Sequence, residues 1–153
     1  IVADLAQPKL DIAAQYQGVI PVNIREQEIT EAVSRLTDGW GVDVVFECSG
    51  SPQAWKTIMD LPRPGGAIVV VGLPVEPVAV DIAGASVKEV RIENVFRYAH
   101  QYERAIALIA SGKVDLKPLI SETFAFEDAK QAFDRAVEAR PSDVKLQIRV
   151  AAE

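Results

Sequence analysis

The chain has 153 residues and a formal net charge of −6, one domain's worth of polypeptide with enough length to bury a substantial core. That acidic balance excludes a nucleic-acid surface, which needs a basic excess to release counterions. A lone cysteine, Cys48, and a lone histidine, His100, exclude an internal disulfide and a Cys/His zinc site built by this chain unaided. Ile1 to Ala3 is too short and lacks the basic lead of a signal peptide. The longest apolar run, Ala67 to Pro74, is strand-length, so no membrane partner is expected and a reducing cytoplasm is the default.

Taken in chain order, Ile1 to Asp4 reads as an apolar strand closed by an acid. Pro8 to Gln17 reads as a helix with Pro in its first turn and Gly18 as its stop. Val19 to Val22 is a short strand, and Glu26 to Leu36 a helix with Ile29, Val33 and Leu36 on one stripe. Val42 to Glu47 is almost continuously apolar, the pattern of a strand buried on both faces. Pro52 to Leu61 reads as helical with Trp55, Ile58 and Met59 inward, broken by Arg63-Pro64-Gly65-Gly66. Ala67 to Gly72 is another buried strand, and Val78 to Ile82 and Val90 to Phe96 are extended. Tyr102 to Ser111 is an amphipathic helix, Leu119 to Phe126 is extended, and Glu127 to Glu138 is helical. Val144 to Val150 alternates as a half-exposed strand does.

Alternating strands and helices indicate an α/β fold with a doubly wound parallel sheet, Rossmann-like. In such a fold an acid closing the second strand lies about 20 residues after a glycine-rich phosphate loop. Asp4 has no strand or loop before it here, so the expected fold lacks its first strand and glycine-rich loop, as a piece of a longer enzyme would. Residues 1–97 are expected to form a partial NAD-binding domain. Residues 98–153 are expected to pack beside it and to belong partly to a catalytic lobe.

Several positions can carry chemistry. Asp4 can accept hydrogen bonds from the adenosine ribose hydroxyls and repel a 2′-phosphate, which favours NAD over NADP; equally, it can cap the following helix. Lys9 can reach the ribose rim or steer the pyrophosphate. Glu47-Cys48-Ser49-Gly50 lies at a strand's carboxyl end, where Ser49 and the Gly50 amide can meet the cofactor or simply form a turn capped by Ser51. Cys48 reads as packing rather than nucleophile, having no basic neighbour in sequence. Gly65 and Gly66 enter a strand and Gly72 leaves it, where a flat ligand can lie against bare backbone. Arg97 and Tyr98 can bind hydroxyls of a sugar-like substrate, or be a surface charge and an interface residue. His100 can carry a proton, though capping the Tyr102 helix is the plainer role.

Together, Val2-Ala3-Asp4-Leu5, Val44-Val45-Phe46-Glu47-Cys48-Ser49-Gly50, Pro64-Gly65-Gly66, Val69-Val70-Val71-Gly72-Leu73, Val95-Phe96-Arg97-Tyr98, Lys117-Pro118-Leu119-Ile120 and the Phe126-to-Phe133 helix carry a resemblance. They resemble the cofactor domain of the zinc-dependent medium-chain dehydrogenases, in the sorbitol/xylitol (polyol) dehydrogenase branch. The resemblance runs through essentially the whole chain in order, and Phe-Arg-Tyr combined with Phe-Glu-Cys-Ser-Gly is its most specific part.

The resemblance implies Asp4 and Lys9 on the adenosine ribose of NAD. It implies Val71, Gly72 and Leu73 along the nicotinamide, Val95, Phe96 and Arg97 beside it, and Arg97 and Tyr98 on a small-molecule polyol. It further implies an NAD-dependent enzyme of the L-iditol 2-dehydrogenase or D-xylulose reductase type, oxidising a secondary alcohol of a sugar alcohol to a ketose with zinc assistance. The family's zinc ligands, acid/base residues and glycine-rich loop fall outside this chain, so no catalytic or metal-ligating residue is assigned here and the chain alone is expected to be inactive. The alternatives are a non-catalytic nucleotide-binding module and a self-associating module. Loss of the first strand would leave Ile1 to Ala3 and Val42 to Phe46 unpaired on one side, so a homo-oligomer, at least a dimer, is expected.

Overall fold

The computed structural model describes residues 1–151. The chain divides into two compact units, one made of Ile1–Glu26 with the segment from Gln101 onward, the other of Gln27–His100. All strand pairing is parallel, and parallel neighbours require a crossover between them.

In the first unit, β1 (Val2–Asp4) pairs with β2 (Pro21–Asn23), matching Asp4 to Asn23. Their crossover is α1 (Gln7–Ala13), which has Pro8 in its first turn and ends earlier than Gly18. Leu10 on α1 and Val22 on β2 are almost fully buried. A second crossover unit joins β6 (Ile120–Ala125), α5 (Ala129–Glu138) and β7 (Lys145–Arg149). Strand β7 alternates as its sequence predicts, with Leu146 and Ile148 half-buried and Lys145, Gln147 and Arg149 exposed. Helix α4 (Tyr102–Ala110) forms as expected, yet Ile106, Leu108 and Ile109 stay exposed.

The second unit begins with α2 (Ile29–Leu36), followed by β3 (Val42–Glu47), β4 (Pro62–Val70), α3 (Ile82–Val87) and β5 (Arg91–Asn94). The strands pair in the order β3-β4-β5, so β4 is central. Val45, Ile68 and Ile92 stand in one row across this sheet. That face packs on Val33, Trp55, Ile58, Met59, Leu61 and Ala85, with Ile68 at 0% exposure. Burying one such side chain is worth about 1.5–3 kcal/mol, so the row anchors the unit.

Four expectations are corrected here. Strand β3 is not buried on both faces: Val44 and Phe46 are 43% and 65% exposed, because β3 pairs with β4 alone and the helices cover one face. The helix expected over Pro52 to Leu61 is instead two 3-10 turns, Ala54–Lys56 and Ile58–Asp60. Thr57 separates them at φ −125°, although Trp55, Ile58 and Met59 still point inward. Arg63-Pro64-Gly65-Gly66 does not precede a strand but lies inside β4, where pairing jumps from Val42–Pro62 to Val44–Ala67. The extended segment expected over Val78 to Ile82 is not a strand; α3 starts at Ile82, capped by Asp81, whose carboxylate accepts from the Gly84 amide at 2.9 Å.

An ion-pair cluster ties the β6–α5–β7 crossover together. Arg135 on α5 grips Asp143 with Nε at 2.8 Å and Nη2 at 2.7 Å and also pairs with Glu122 on β6. The hydrogen bonds from Arg135 hold the Asp143 carboxyl below the usual carboxylate range, against the opposing effect of burial, with the charges of Arg135 and Arg140 reinforcing them. A depressed native-state value means stability present above the unfolded carboxylate pKa of about 3.9 and lost as pH falls through the native value. Acidifying below about pH 4 should therefore raise amide exchange in β6 and β7. Asp143→Asn should lower protection at neutral pH and flatten that acid response, as read by hydrogen exchange.

Candidate functional site

The carboxyl ends of β3, β4 and β5 share one edge of the sheet, the edge where open α/β sheets bind ligands. Strand β3 ends in Glu47, which is 4% exposed. Its carbonyl accepts from the amides of both Val71 and Gly72 at 2.8 Å. Its carboxylate accepts from the Ser49 amide at 2.8 Å, from the Ser49 hydroxyl, and from the Gly50 amide at 3.1 Å to either oxygen. A buried carboxylate is tolerated when its lone pairs are filled in this way.

The loop after β3 and the loop after β4 touch backbone to backbone. A Cβ on Gly72 would stand 2.3 Å from the Gly50 amide nitrogen and 2.6 Å from Glu47 Oε2. One on Gly50, whose φ is +65°, would stand 2.8 Å from the Leu73 carbonyl oxygen. Both positions therefore need glycine for close approach.

Beyond this contact, Val71, Gly72, Leu73 and Pro74 face Asn94, Val95 and Phe96 across a cleft of about 320 Å³. The Val95 amide donates to the Val70 carbonyl at 2.9 Å and carries the ladder to the cleft floor. Leu73 and Phe96 are more than 70% exposed at its rim, at 74% and 72%. The Arg97 guanidinium lies 4.8 Å from the centre of the Phe96 ring. The volume and the apolar walls with few polar groups suit a small flat ligand.

The structure thus brings together five of the positions singled out in the sequence: Val71, Gly72, Leu73, Val95 and Phe96. Arg97 and Tyr98 follow directly on Phe96, beyond β5, and are exposed. Asp4 and Lys9 lie in the other unit. Asp4 ends β1 half-buried, and one of its oxygens accepts from the Ala6 amide at 2.8 Å. That bond leaves the second oxygen without a partner among the described residues. Lys9 sits half-buried in the first turn of α1.

Other roles read from sequence change. The Ser49 hydroxyl and the Gly50 amide are already spent on Glu47 rather than turned toward a ligand. Cys48 is exposed rather than packed, and partial burial, then the Glu47 charge, pushes its thiol pKa up, the opposite of an activated nucleophile. The N-cap of α4 is Gln101 rather than His100, which instead adopts φ +56°. Pro74 and Asn94 join the cleft unannounced by any motif. Glu47 was legible as an acid closing a strand, but not as the hub of two loops. Among the described residues no group of three His, Cys, Asp or Glu side chains is placed to hold a metal ion, so this chain's residues do not fit a zinc site.

Residues 1–111 match the family described as zinc-binding dehydrogenase. A protein from Agrobacterium fabrum, provisionally named D-xylulose reductase, is 67% identical over 97% of this chain and 42% of its own length. The D-xylulose reductase of Morganella morganii is 42% identical over 90% of this chain and 41% of its own length. The chain therefore spans about two fifths of these relatives. Among solved structures, an oxidoreductase/dehydrogenase of unknown specificity from Escherichia coli gives a TM-score of 0.89 at 29% identity, over 97% of this chain and 43% of that one. A provisionally assigned zinc-binding dehydrogenase from Sinorhizobium meliloti, solved bound to NADP, gives 0.81 at 25% identity, over 95% of this chain and 43% of that one.

The backbone contact beneath the cleft can be tested directly. Gly72→Ala should cost about 1–3 kcal/mol, the usual penalty for forcing a methyl into a filled space. Chemical denaturation of the two proteins measures this, while an equivalent change at Gly112, where a Cβ meets nothing within 4 Å, reports only the cost of its positive φ.

Proposed function

This chain belongs to the zinc-binding dehydrogenase family, and from that premise we propose that it is the cofactor-binding part of an NAD-dependent polyol dehydrogenase of the sorbitol/xylitol type. The observation that carries the reading is the cleft at the carboxyl ends of β4 and β5, walled by Val71-Gly72-Leu73 and Val95-Phe96. The D-xylulose reductases among its relatives support a polyol, and the NADP-bound structural neighbour supports a nicotinamide nucleotide.

In this reading Val71, Gly72 and Leu73 lie along the nicotinamide, with Val95, Phe96 and Arg97 beside it. The absence of a side chain at Gly72 lets a planar ring approach the main chain. Apolar walls exclude water from the reacting face. When bound, the dinucleotide supplies the acceptor for hydride, chemistry that no side chain can provide. Arg97 and Tyr98 hold polyol hydroxyls by donating hydrogen bonds, which orients the carbon that loses hydride. Asp4, with Lys9 near it in sequence, takes the adenosine ribose through its unspent carboxylate oxygen.

Residues 1–97 are the NAD-binding part and residues 98–153 contribute partly to a catalytic lobe. The whole enzyme is a cytoplasmic homo-oligomer that converts a sugar alcohol to a ketose. This chain alone does not turn over, because its described residues supply no metal site.

Asp4 decides between the two cofactors, since its charge repels a 2′-phosphate. Fluorescence titration of the chain should show tighter binding of NADH than of NADPH, and Asp4→Ala should narrow the gap by about tenfold, one lost charge-assisted contact. Equal affinities in the unsubstituted protein would sink the assignment. Incubation with NAD and either sorbitol or xylitol should give no absorbance of reduced cofactor; sustained reduction by the pure chain would refute the division of labour.

A further inference from the structure

Glu47 is a buried acid for which the proposed chemistry has no use. Its carboxylate nonetheless takes three donors of the following loop, the Ser49 amide and hydroxyl and the Gly50 amide. Its carbonyl takes the two amides, of Val71 and Gly72, that open the facing wall of the cleft. One residue therefore holds both loops, from its side chain on one flank and its backbone on the other.

The spacing between those loops has little slack. Gly50 and Gly72 approach so closely that a methyl on either would overlap the other loop's backbone. A shift of the 48–50 loop must therefore be passed on to Val71-Gly72-Leu73, since there is no gap to absorb it. Without the carboxylate, the Ser49 and Gly50 amides would lose their acceptor and the loop would be free to seek others.

We infer that Glu47 is a positioning residue for the cleft: its carboxylate fixes the Ser49-Gly50 loop, against which the Val71-Gly72-Leu73 wall is set for a nicotinamide ring. This inference rests on the reading of the cleft given above. It assigns Glu47 no contact with ligand and no part in proton transfer.

The test uses nicotinamide mononucleotide as probe and AMP as control, each titrated against the isotopically labelled chain and followed by amide shifts. Glu47→Ala should weaken the mononucleotide about tenfold while AMP affinity stays within about twofold of the unsubstituted protein. Glu47→Gln keeps an oxygen for the Ser49 and Gly50 donors and should restore most of the loss. If Glu47→Ala does not fold, Ser49→Ala carries the test. It removes one donor on an exposed loop and should weaken the mononucleotide about threefold, again sparing AMP. Unchanged mononucleotide affinity in the folded variants overturns the inference, and so does a parallel loss of both ligands, which marks a purely structural role. A mononucleotide that leaves the Val71, Gly72 and Leu73 amides unmoved in the unsubstituted protein defeats the reading of the cleft itself, and the inference falls with it.

Discussion

Parallel pairing on both sides of β4 is the constraint from which the cleft follows. Parallel strands send all their carboxyl ends to one edge, so whatever follows β3, β4 and β5 must compete for the same space. Register decides who meets whom there. With Val45, Ile68 and Ile92 aligned in one row, Glu47 ends level with Val70, and Val70 level with Asn94. The loops that start at those residues are brought together by the ladder before any side chain acts.

The same sheet is unequal in its two faces. One face carries the row around Ile68 and a continuous apolar cluster. The other turns Val44 and Phe46 outward on β3 and Arg91 and Glu93 outward on β5, with Ala67 and Val69 of β4 between them. Fixing Ile68 at the centre of the buried face gives the sheet a rigid base, and the cleft is built from the ends of β4, its central strand, and of β5 beside it. Sites on such elements hold their geometry better than sites carried wholly by loops. The loops here gain equivalent rigidity from the Gly50–Gly72 approach and the saturated carboxylate between them.

Much of this was legible in the chain's pattern. The bounds of β3 follow from an almost continuously apolar stretch between Gly41 and Cys48, interrupted by Asp43 and closed by Glu47, and α5 and β7 follow from clear periods of 3.6 and 2. Burial was not legible to the same degree, since an apolar strand carries no mark of how many faces its neighbours will cover. The spacing of Trp55, Ile58 and Met59 marks them as inward even without the helix, because 3-10 turns also return to one face about every third residue. Val78 and Val80, whose β-branched side chains read as strand, mask helix α3; its true signal is Asp81 with Gly84 three positions on. The linkage made by Glu47 was hidden for another reason. Half of it is local, to Ser49 and Gly50, but the other half reaches Val71 and Gly72, which no spacing rule connects to an acid 24 or 25 positions earlier.

The cleft's rim is closed by a weak contact between a cation and a ring. The Arg97 guanidinium rests over the Phe96 ring at 4.8 Å, and both residues are exposed. A cation–π contact in water is worth about 0.5–1 kcal/mol, enough to give the guanidinium a resting place but not to trap it. A hydrogen bond from a charged donor to a neutral acceptor contributes about 1.5–3 kcal/mol, so the ring contact is the weaker of the two and does not fix the guanidinium. The contact thus holds the charge at the rim, over Phe96, and leaves the cleft itself apolar.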